Sequence, residues 1–172
     1  MTSPLKAFSV HGPFDIPLEP GKTGKMVAMD ICAFWDEIGD LRRRRGVYLF
    51  AIRAGKGITP IYVGKAAKQS FEDEVFTAHK RSAHYTPALL DYAKGTAVMY
   101  FVAHPQGNGA INQTLIDQIE TFLIDIASTK NPTLSNVRKK PKHKWRIKGV
   151  VRGKQGETRE EAKSFKAAVG IN

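Results

Sequence analysis

The chain has 172 residues, of which 42% are hydrophobic and 25% are charged, a composition typical of a single folded domain rather than a disordered chain. It has no apolar stretch near the ~18 residues of a membrane span and no cationic start followed by an apolar run, so the sequence predicts neither a membrane protein nor a secreted one. The single cysteine, Cys32, excludes an internal disulfide bond, and we therefore expect the protein in the cytoplasm.

The charge of the chain is unevenly distributed. Lys and Arg number 27 against 16 Asp and Glu, a net +11, and residues 137–172 hold 12 of the basic and 3 of the acidic side chains, a net +9. A basic segment joined to a nearly neutral body suggests a polyanionic partner, DNA or alternatively RNA, because neutralised phosphates release condensed counterions. The same composition suits a tail that only keeps the protein soluble. A membrane surface fits less well, because the segment shows no helical apolar stripe.

Residues 1–45 are predicted to form an N-terminal arm followed by a short helix. Four prolines in the first 20 residues favour an irregular arm in which FSV and FDIPL form short edge strands. Residues 29–41 carry apolar side chains at helical spacing, with Asp30 placed as the N-cap. The four arginines 42–45 that follow suit either a solvated corner or a phosphate-binding surface.

Two strands are predicted next, GVYLFAIR over residues 46–53 and PIYVGK over residues 60–65. In an antiparallel hairpin whose turn centres near residue 55 or 56, opposite residues have numbers that sum to about 110 or 112. Tyr48 then faces Tyr62, and both tyrosines project from the same side of the sheet. Core packing alone and a shared functional site are both consistent with this arrangement.

Helices and one strand are predicted after the hairpin. Residues 70–85 predict a helix with Ser70 as its N-cap and Asp73 at the capping-box position, followed by a second helical run over residues 86–95. Residues 96–105, TAVMYFVAHP, are apolar on both faces and predict a central strand. Near the end of the chain, WRIKGVV predicts a strand, and Thr158 with Glu161 predicts the capping box of a last helix.

The segment INQTLIDQIETFLIDIAST predicts the clearest helix of the chain. Glu120 lies along the margin of its apolar face, four residues after Ile116. A glutamate in apolar surroundings requires a partner, because desolvating its charged form is costly. That partner is either a metal cation or a lysine at the rim of the helix. The residues predicted to face inward are Ile111, Leu115, Ile116, Ile119, Phe122, Leu123 and Ile126.

The motifs of the chain follow one another in the order GVY, YVG, a helix, a helix with E-x-x-L-I, and then NP-x-L-x-N. Over about residues 45–137 this order resembles that of the GIY-YIG nuclease superfamily. The resemblance implies an α/β (α+β) fold with a small three-stranded antiparallel sheet flanked by helices. It also implies cleavage of DNA phosphodiester bonds with one divalent metal ion, Mg²⁺ or Mn²⁺. The chain then divides into the arm and helix of residues 1–45, a nuclease core of residues 46–137 and a basic C-terminal extension of residues 138–172.

The resemblance also implies roles for individual residues. Tyr48 is implied to be the base or the group that positions the attacking water, and Tyr62 supports the same site. Glu120 is implied to bind the metal, and Asn136 to brace the site. Lys65 follows YVG directly and resembles a lysine that several members keep there. A phenol has an unperturbed pKa of about 10, so it needs a nearby cation to accept a proton near neutral pH. Lys65 or the metal could supply that charge, although a solvated lysine at a strand end is equally consistent.

One position departs from the family pattern. Members usually carry an arginine in the first helix, and counting from Phe71 that position is Glu74, which repels phosphate. Arg81 lies seven residues further on nearly the same face of the helix, and Lys65 or Lys80 provide other cations. His79, near a histidine that some members have, is either a second general base or a surface residue.

We expect DNA to contact basic side chains at the strand entrance, on the first helix of the core and in the extension, namely Arg44, Arg45, Lys80, Arg138, Lys139 and Lys140. Tyr48, Tyr62, Lys65 and Glu120 are expected to converge on one concave, positively polarised surface. The rival hypotheses are a nucleic-acid-binding module of the same fold that has lost turnover, and a basic domain whose partner is a protein. The sequence leaves the oligomeric state open.

Overall fold

The computed structural model describes residues 6–19, 28–106, 110–136, 147, 149–150, 156 and 159–170. The chain divides into two compact units, Met1–Lys139 and Lys140–Asn172. The strands of the first unit are β1 (Ser9–Asp15), β2 (Gly46–Ala54), β3 (Gly57–Ala66) and β4 (Thr96–Ala103). Its helices are α1 (Ile31–Ile38), α2 (Phe71–Glu74), α3 (Ala78–Lys80), α4 (Thr86–Asp91) and α5 (Gln113–Lys130). None of the helices in the described stretches has the length and apolarity that a membrane crossing needs.

The sheet has four antiparallel strands in the order β1-β4-β2-β3, flanked by helices. The expected three-stranded sheet is therefore wrong by one strand. The N-terminal segment, predicted as an arm with short edge strands at FSV and FDIPL, supplies the edge strand β1, which pairs along β4 from Ser9 opposite Ala103 to Asp15 opposite Val98. Ile16, just after β1, is buried in the core. The central position predicted for β4 is confirmed, because β1 and β2 flank it on either side.

The hairpin of β2 and β3 turns through Gly55 and Lys56, as predicted. Tyr48 lies opposite Gly64 and Tyr62 lies opposite Phe50, so the pairs at this end of the hairpin sum to 112, one of the two predicted sums. The expected pairing of Tyr48 with Tyr62 is wrong by two residues, and the ladder has an irregularity just after Phe50. Residues two apart on a strand share a face, so the prediction that both tyrosines project from one side of the sheet holds.

The glycines of GVY and YVG, Gly46 and Gly64, allow neighbouring atoms to pack closely against the backbone. A Cβ on Gly64 would lie 2.8 Å from Cε2 of Tyr48 and closer still to its Cζ and hydroxyl oxygen, because the Tyr48 ring lies over this glycine. A Cβ on Gly46 would lie 3.0 Å from the Cα of Ala103 and closer to the carbonyl oxygen of Val102 on β4. The glycines of GVY and YVG therefore allow a tyrosine ring and a neighbouring strand to approach the backbone.

One face of the sheet packs against α1 and the helices α2 to α4. Its core contains Phe34 of α1, Tyr48 and Phe50 of β2, and Phe71 of α2, all without exposed surface. Asp30 caps α1 as predicted, accepting a hydrogen bond from the backbone of Ala33 at 3.0 Å. A 3₁₀ helix, Gly39–Arg43, then leads into β2.

The single helix predicted over residues 70–85 is broken. Ser70 caps α2 as predicted, but the chain leaves helical geometry before α3 and then continues through a π-helical turn, Arg81–Tyr85, into α4. The break frees two carbonyl groups. Lys80 Nζ donates to the carbonyl of Glu74 at 2.7 Å, and the Tyr85 hydroxyl donates to the carbonyl of Val75 at 2.8 Å. Side chains from the next helix therefore satisfy the backbone that the break leaves unpaired.

Helix α5 packs against the opposite face of the sheet, on Val47 and Val63. Asn112 is its N-cap, accepting from the backbone of Leu115 at 3.1 Å. The predicted inward stripe is wrong at Phe122 and Ile126, which are 61% and 51% exposed. The buried residues of the helix are Ile116, Glu120, Ile124 and Ala127. Glu120 therefore lies in the middle of the buried face rather than at its margin.

Residues 131–136 run along the edge strand β3. Asn131 Nδ2 donates to the carbonyl of Pro60 at 2.6 Å, and the backbone of Ser135 donates to the carbonyl of Ile61 at 2.7 Å. The side chain of Asn136 pairs with both backbone groups of Val63, at 2.9 and 2.7 Å. The NP-x-L-x-N segment thus satisfies strand groups that an edge otherwise leaves open.

In the second unit, the described residues include helix α6 (Glu160–Ala168). The predicted cap Thr158 lies outside the described residues. The predicted strand WRIKGVV is wrong at Gly149 and Val150, which form a turn in which the backbone of Val150 donates to the carbonyl of Ile147 at 3.0 Å, and most of its other residues lie outside the described part of the chain. Glu161 lies in the first turn of α6.

Candidate functional site

A cleft of about 540 Å³ lies at the C-terminal end of β3. Tyr62 and Lys65 of β3 line it, together with Glu74 and Lys80 from one face of the sheet and Glu120 from the other. Residues from both faces can meet here because β3 is an edge strand. The cleft therefore brings together three of the four residues expected to converge, although α5 packs on the face opposite to the tyrosines.

Lys65 connects β3 to the acidic side of α5. Its ammonium forms an ion pair with Asp117 and lies 3.2 Å from Oε2 of Glu120. Glu120 is 9% exposed, and Lys65 is the kind of partner that a buried carboxylate requires. Asp117 was not among the predicted site residues. Its signal was its spacing, three residues before Glu120 on one helix face.

A second ion pair joins Glu74 and Lys80 across the helix break. Lys80 is 8% exposed. Its ammonium pairs with the Glu74 carboxylate and also donates to the Glu74 carbonyl. Glu74 thus occupies the cleft with its own counterion. Of the cations proposed to replace the missing arginine, Lys65 and Lys80 line the cleft, whereas Arg81 is exposed and is not part of its lining.

The cleft is not positively polarised by its formal charges, which differs from the expectation. Its lining contains equal numbers of basic and acidic side chains. The basic ones are Lys65, Lys68 and Lys80, and the acidic ones are Glu74, Asp117 and Glu120. Each acidic residue of the lining also forms an ion pair with one of its lysines, Lys65 serving both Asp117 and Glu120.

Tyr48 lies behind the cleft and does not line it. It has no exposed surface, its ring centroid is 6.3 Å from that of Tyr62, and Lys80 Nζ lies 5.5 Å from its centroid. The hydroxyl of Tyr85 donates to the carbonyl of Val75, and the buried hydroxyl of Tyr48 interacts with the hydroxyls of Tyr85 and Tyr62.

Burial raises the pKa of both motif tyrosines. For Tyr48 the main cause is desolvation, followed by Tyr85 and Tyr62, and its pKa lies well above the usual value. Desolvation, then the charges of Glu120 and Glu74, raise the pKa of Tyr62 to about 12. Both phenols are therefore protonated near neutral pH and act as hydrogen-bond donors. Lys65 does not lower the pKa of either tyrosine, contrary to the expectation, because its ammonium lies against the carboxylates of Asp117 and Glu120.

His84 is a site residue that the sequence interpretation missed. Its ring stacks on Tyr62 with centroids 4.0 Å apart and an interplanar angle of 17°, and its Nδ1 hydrogen-bonds to Ser135 Oγ at 2.6 Å. Burial, then His79 and Lys80, lower the pKa of His84, so its imidazole is neutral at pH 7. The sequence signal was weak, a histidine one helical turn after Lys80.

The other predicted site residues lie away from the cleft lining. His79 is exposed, 5.9 Å from His84 in an edge-to-face arrangement. Arg44 uses its guanidinium within the protein, donating to the carbonyl of His104 at 2.7 Å and to Ser9 Oγ at 3.4 Å. Arg45 is half-buried, and its carbonyl accepts from the backbone of His104. The residues that fall outside the described part of the chain are Arg138, Lys139 and Lys140.

The donors of the cleft suit a divalent metal only in part. Within the described residues, no group of three or more His, Cys, Asp and Glu side chains could hold a metal ion. Asp117 and Glu120 do direct their carboxylates at one cation, the Lys65 ammonium. Mg²⁺ usually keeps waters and binds one or two carboxylates plus substrate phosphates. Two carboxylates therefore form an adequate donor set once Lys65 moves away from them.

In comparisons with known proteins, no family model, no curated protein and no solved structure matches the chain.

Proposed function

We propose that the protein is a metal-dependent endonuclease that hydrolyses DNA phosphodiester bonds in the cleft at the end of β3. The observation that carries the proposal is the meeting of Tyr62, Lys65 and Glu120 in one cleft, although they come from two strand faces and a distant helix. We further propose that the fold is a four-stranded variant of the GIY-YIG type, that the basic extension of residues 138–172 binds DNA, and that the protein acts in the cytoplasm.

Asp117 and Glu120 are the residues that would hold Mg²⁺ or Mn²⁺. Such an ion, when bound, stabilises negative charge on the phosphoryl and leaving oxygens. Lys65, displaced from the two carboxylates, remains within the cleft as a cation for the phosphate. Lys80 is the second cation of the cleft, held at its back by Glu74.

The tyrosines act as donors in this proposal. Because the pKa of Tyr62 is raised to about 12, its hydroxyl positions a water or a phosphoryl oxygen by donating a hydrogen bond. Tyr48 belongs to the same aromatic cluster, with its ring centroid 6.3 Å from that of Tyr62, and its hydroxyl interacts with that of Tyr62. Asn136 contributes indirectly, because its two hydrogen bonds to Val63 hold the strand between Tyr62 and Gly64.

The test is nicking of supercoiled plasmid in Mg²⁺ or Mn²⁺. The wild type is expected to cut, and Glu120→Gln should cut at least about 100-fold more slowly, since even residues that only orient metal ligands matter by 10–100-fold. Asp125→Asn is the matched control, a carboxylate-to-amide change on the same helix that lies outside the cleft lining, and it should cut normally. Anisotropy with labelled DNA in EDTA should show that Glu120→Gln still binds. Cutting that survives in Glu120→Gln would refute the assignment.

A nucleic-acid-binding module without turnover is the second candidate. The ion pairs of the cleft favour it, because each carboxylate of the lining already has a lysine partner without a metal, Lys65 serving both Asp117 and Glu120. A wild type that binds DNA but leaves plasmid, branched and single-stranded DNA uncut in both metals would establish this candidate. Absence of both binding and cutting would exclude both.

A further inference from the structure

A second, smaller cavity of about 220 Å³ lies beside the cleft. It is a half-open hollow lined by α4, by Ile61 of β3 and by the segment that covers the β3 edge. The polar and aromatic side chains of its lining are His84, Asp91, Tyr92, Asn131, Thr133 and Ser135. Nothing in the proposed hydrolysis uses this cavity.

A pair of stacked rings connects the two cavities. Tyr62 lines the cleft, His84 lines the second cavity, and their ring centroids are 4.0 Å apart. The bond from His84 Nδ1 to Ser135 Oγ fixes the histidine ring against the wall of the second cavity. A strand whose phosphate lies in the cleft can place a neighbouring nucleotide against this wall, because the two stacked rings line the two cavities. Unpaired bases are commonly splayed out and bound in just this way, stacked on aromatic rings and hydrogen-bonded at their edges.

The size and chemistry of the cavity favour one base. Its 220 Å³ is below the about 300 Å³ of the smallest typical ligand pockets, so it suits a single base rather than a larger ligand. Tyr92, 39% exposed, offers an aromatic ring. Asp91 is exposed and has no hydrogen-bond or ion-pair partner in the described part of the chain. A carboxylate accepts a hydrogen bond from the N4 amine of cytosine, whereas thymine presents an oxygen at the same place.

We propose that this cavity binds one unpaired cytosine next to the phosphate held in the cleft, and that Asp91 determines the preference for cytosine over thymine. The inference rests on the proposed action on DNA. It adds a base preference that the cleft itself does not supply, because phosphate contacts carry no direct sequence information.

The test is the affinity of the full chain for two labelled single-stranded probes, measured by anisotropy in EDTA. One probe is an oligothymidine and the other is the same oligothymidine with a single central cytosine. The wild type is expected to bind the cytosine probe about fivefold or more tightly, the lower end for one discriminating base contact. Asp91→Asn should reduce the ratio to near one, since an amide can donate to thymine as well as accept from cytosine. Asp36→Asn, an exposed carboxylate on α1, is the control that should keep the ratio.

The ratio of affinities is the readout because removal of a negative charge raises the affinity for both probes alike. Equal binding of both probes by the wild type, or an unchanged ratio in Asp91→Asn, would overturn the cytosine site alone, and plasmid nicking would then still support the nuclease. A wild type that binds neither probe and cuts no DNA would overturn both proposals.

Discussion

Gly64→Ala tests whether the YVG glycine is required by packing against Tyr48. The new Cβ would lie 2.8 Å from Tyr48 Cε2 and closer to Cζ and the hydroxyl oxygen, whereas carbon atoms in ordinary contact are about 3.5–4.0 Å apart. Tyr48 has no exposed surface and cannot swing into solvent to relieve the overlap. Overpacking of this kind costs about 1–3 kcal/mol. We therefore expect the melting temperature to fall by about 2–12 °C in a protein of this size.

Gly57→Ala is the matched control on the same strand. Its Cβ would meet only the carbonyl oxygen of Ala54, at an ordinary 3.7 Å. An alanine that fits the native backbone stabilises by about 0.4–1 kcal/mol through the unfolded state, so the two variants should shift stability in opposite directions. Urea denaturation of both variants measures the difference in free energy of unfolding. A Gly64→Ala protein as stable as Gly57→Ala would refute the packing explanation of the motif.

Three further predictions concern the edge strand, the buried phenols and the basic extension. Asn136→Ala removes both hydrogen bonds to Val63 and should lower the free energy of unfolding by about 1–3 kcal/mol for each buried group left unpaired, measured in urea; a decrease under about 0.5 kcal/mol would contradict the bracing role. The pKa of Tyr62 rises from 10 in the unfolded chain to about 12 in the folded one, so the unfolded state releases its proton at lower pH. The stability that is present below pH 10 should therefore be lost between pH 10 and 12. Urea denaturation across this range should show a smaller decrease in the free energy of unfolding for Tyr62→Phe than for the wild type. Removing residues 138–172 should flatten the salt dependence of DNA binding by about 0.9 in log–log slope for each phosphate that the extension neutralises, and an unchanged slope would show that the extension is not the binding surface.

The elements that were predicted correctly are those whose signals are local. The apolar run of β4, the turn at Gly55 and Lys56, and the caps Ser70 and Asp30 each depend on a few neighbouring residues. The pairing register was not predictable in the same way. It depends on an irregularity after Phe50 that a count from the turn ignores.

The remaining errors have tertiary causes. The break between α2 and α3 is stable because Lys80 and Tyr85 bind the freed carbonyl groups, and nothing in the helical periodicity indicates that. The apolar stripe of α5 is wider than the surface that the sheet offers, so Phe122 and Ile126 remain exposed.

The candidate site was predictable in its motif residues but not in its electrostatics. Tyr62, Lys65 and Glu120 were identified from motif order and do line one cleft. The pairing of Lys65 with Asp117 spans 52 positions in the sequence and appears only in the folded chain. The contribution of His84 likewise depends on stacking against a distant strand.

The claim that the cleft at the end of β3 is a metal-dependent reaction centre is tested most directly by diffraction from crystals soaked in Mn²⁺ with a short DNA strand. Anomalous scattering locates the ion without reference to activity. We expect a manganese peak at coordination distance from the carboxylate of Glu120, with the Lys65 ammonium moved away from it and a phosphate beside the ion. DNA bound in the cleft with no manganese peak at Glu120, or a peak at a site remote from Tyr62, would contradict it.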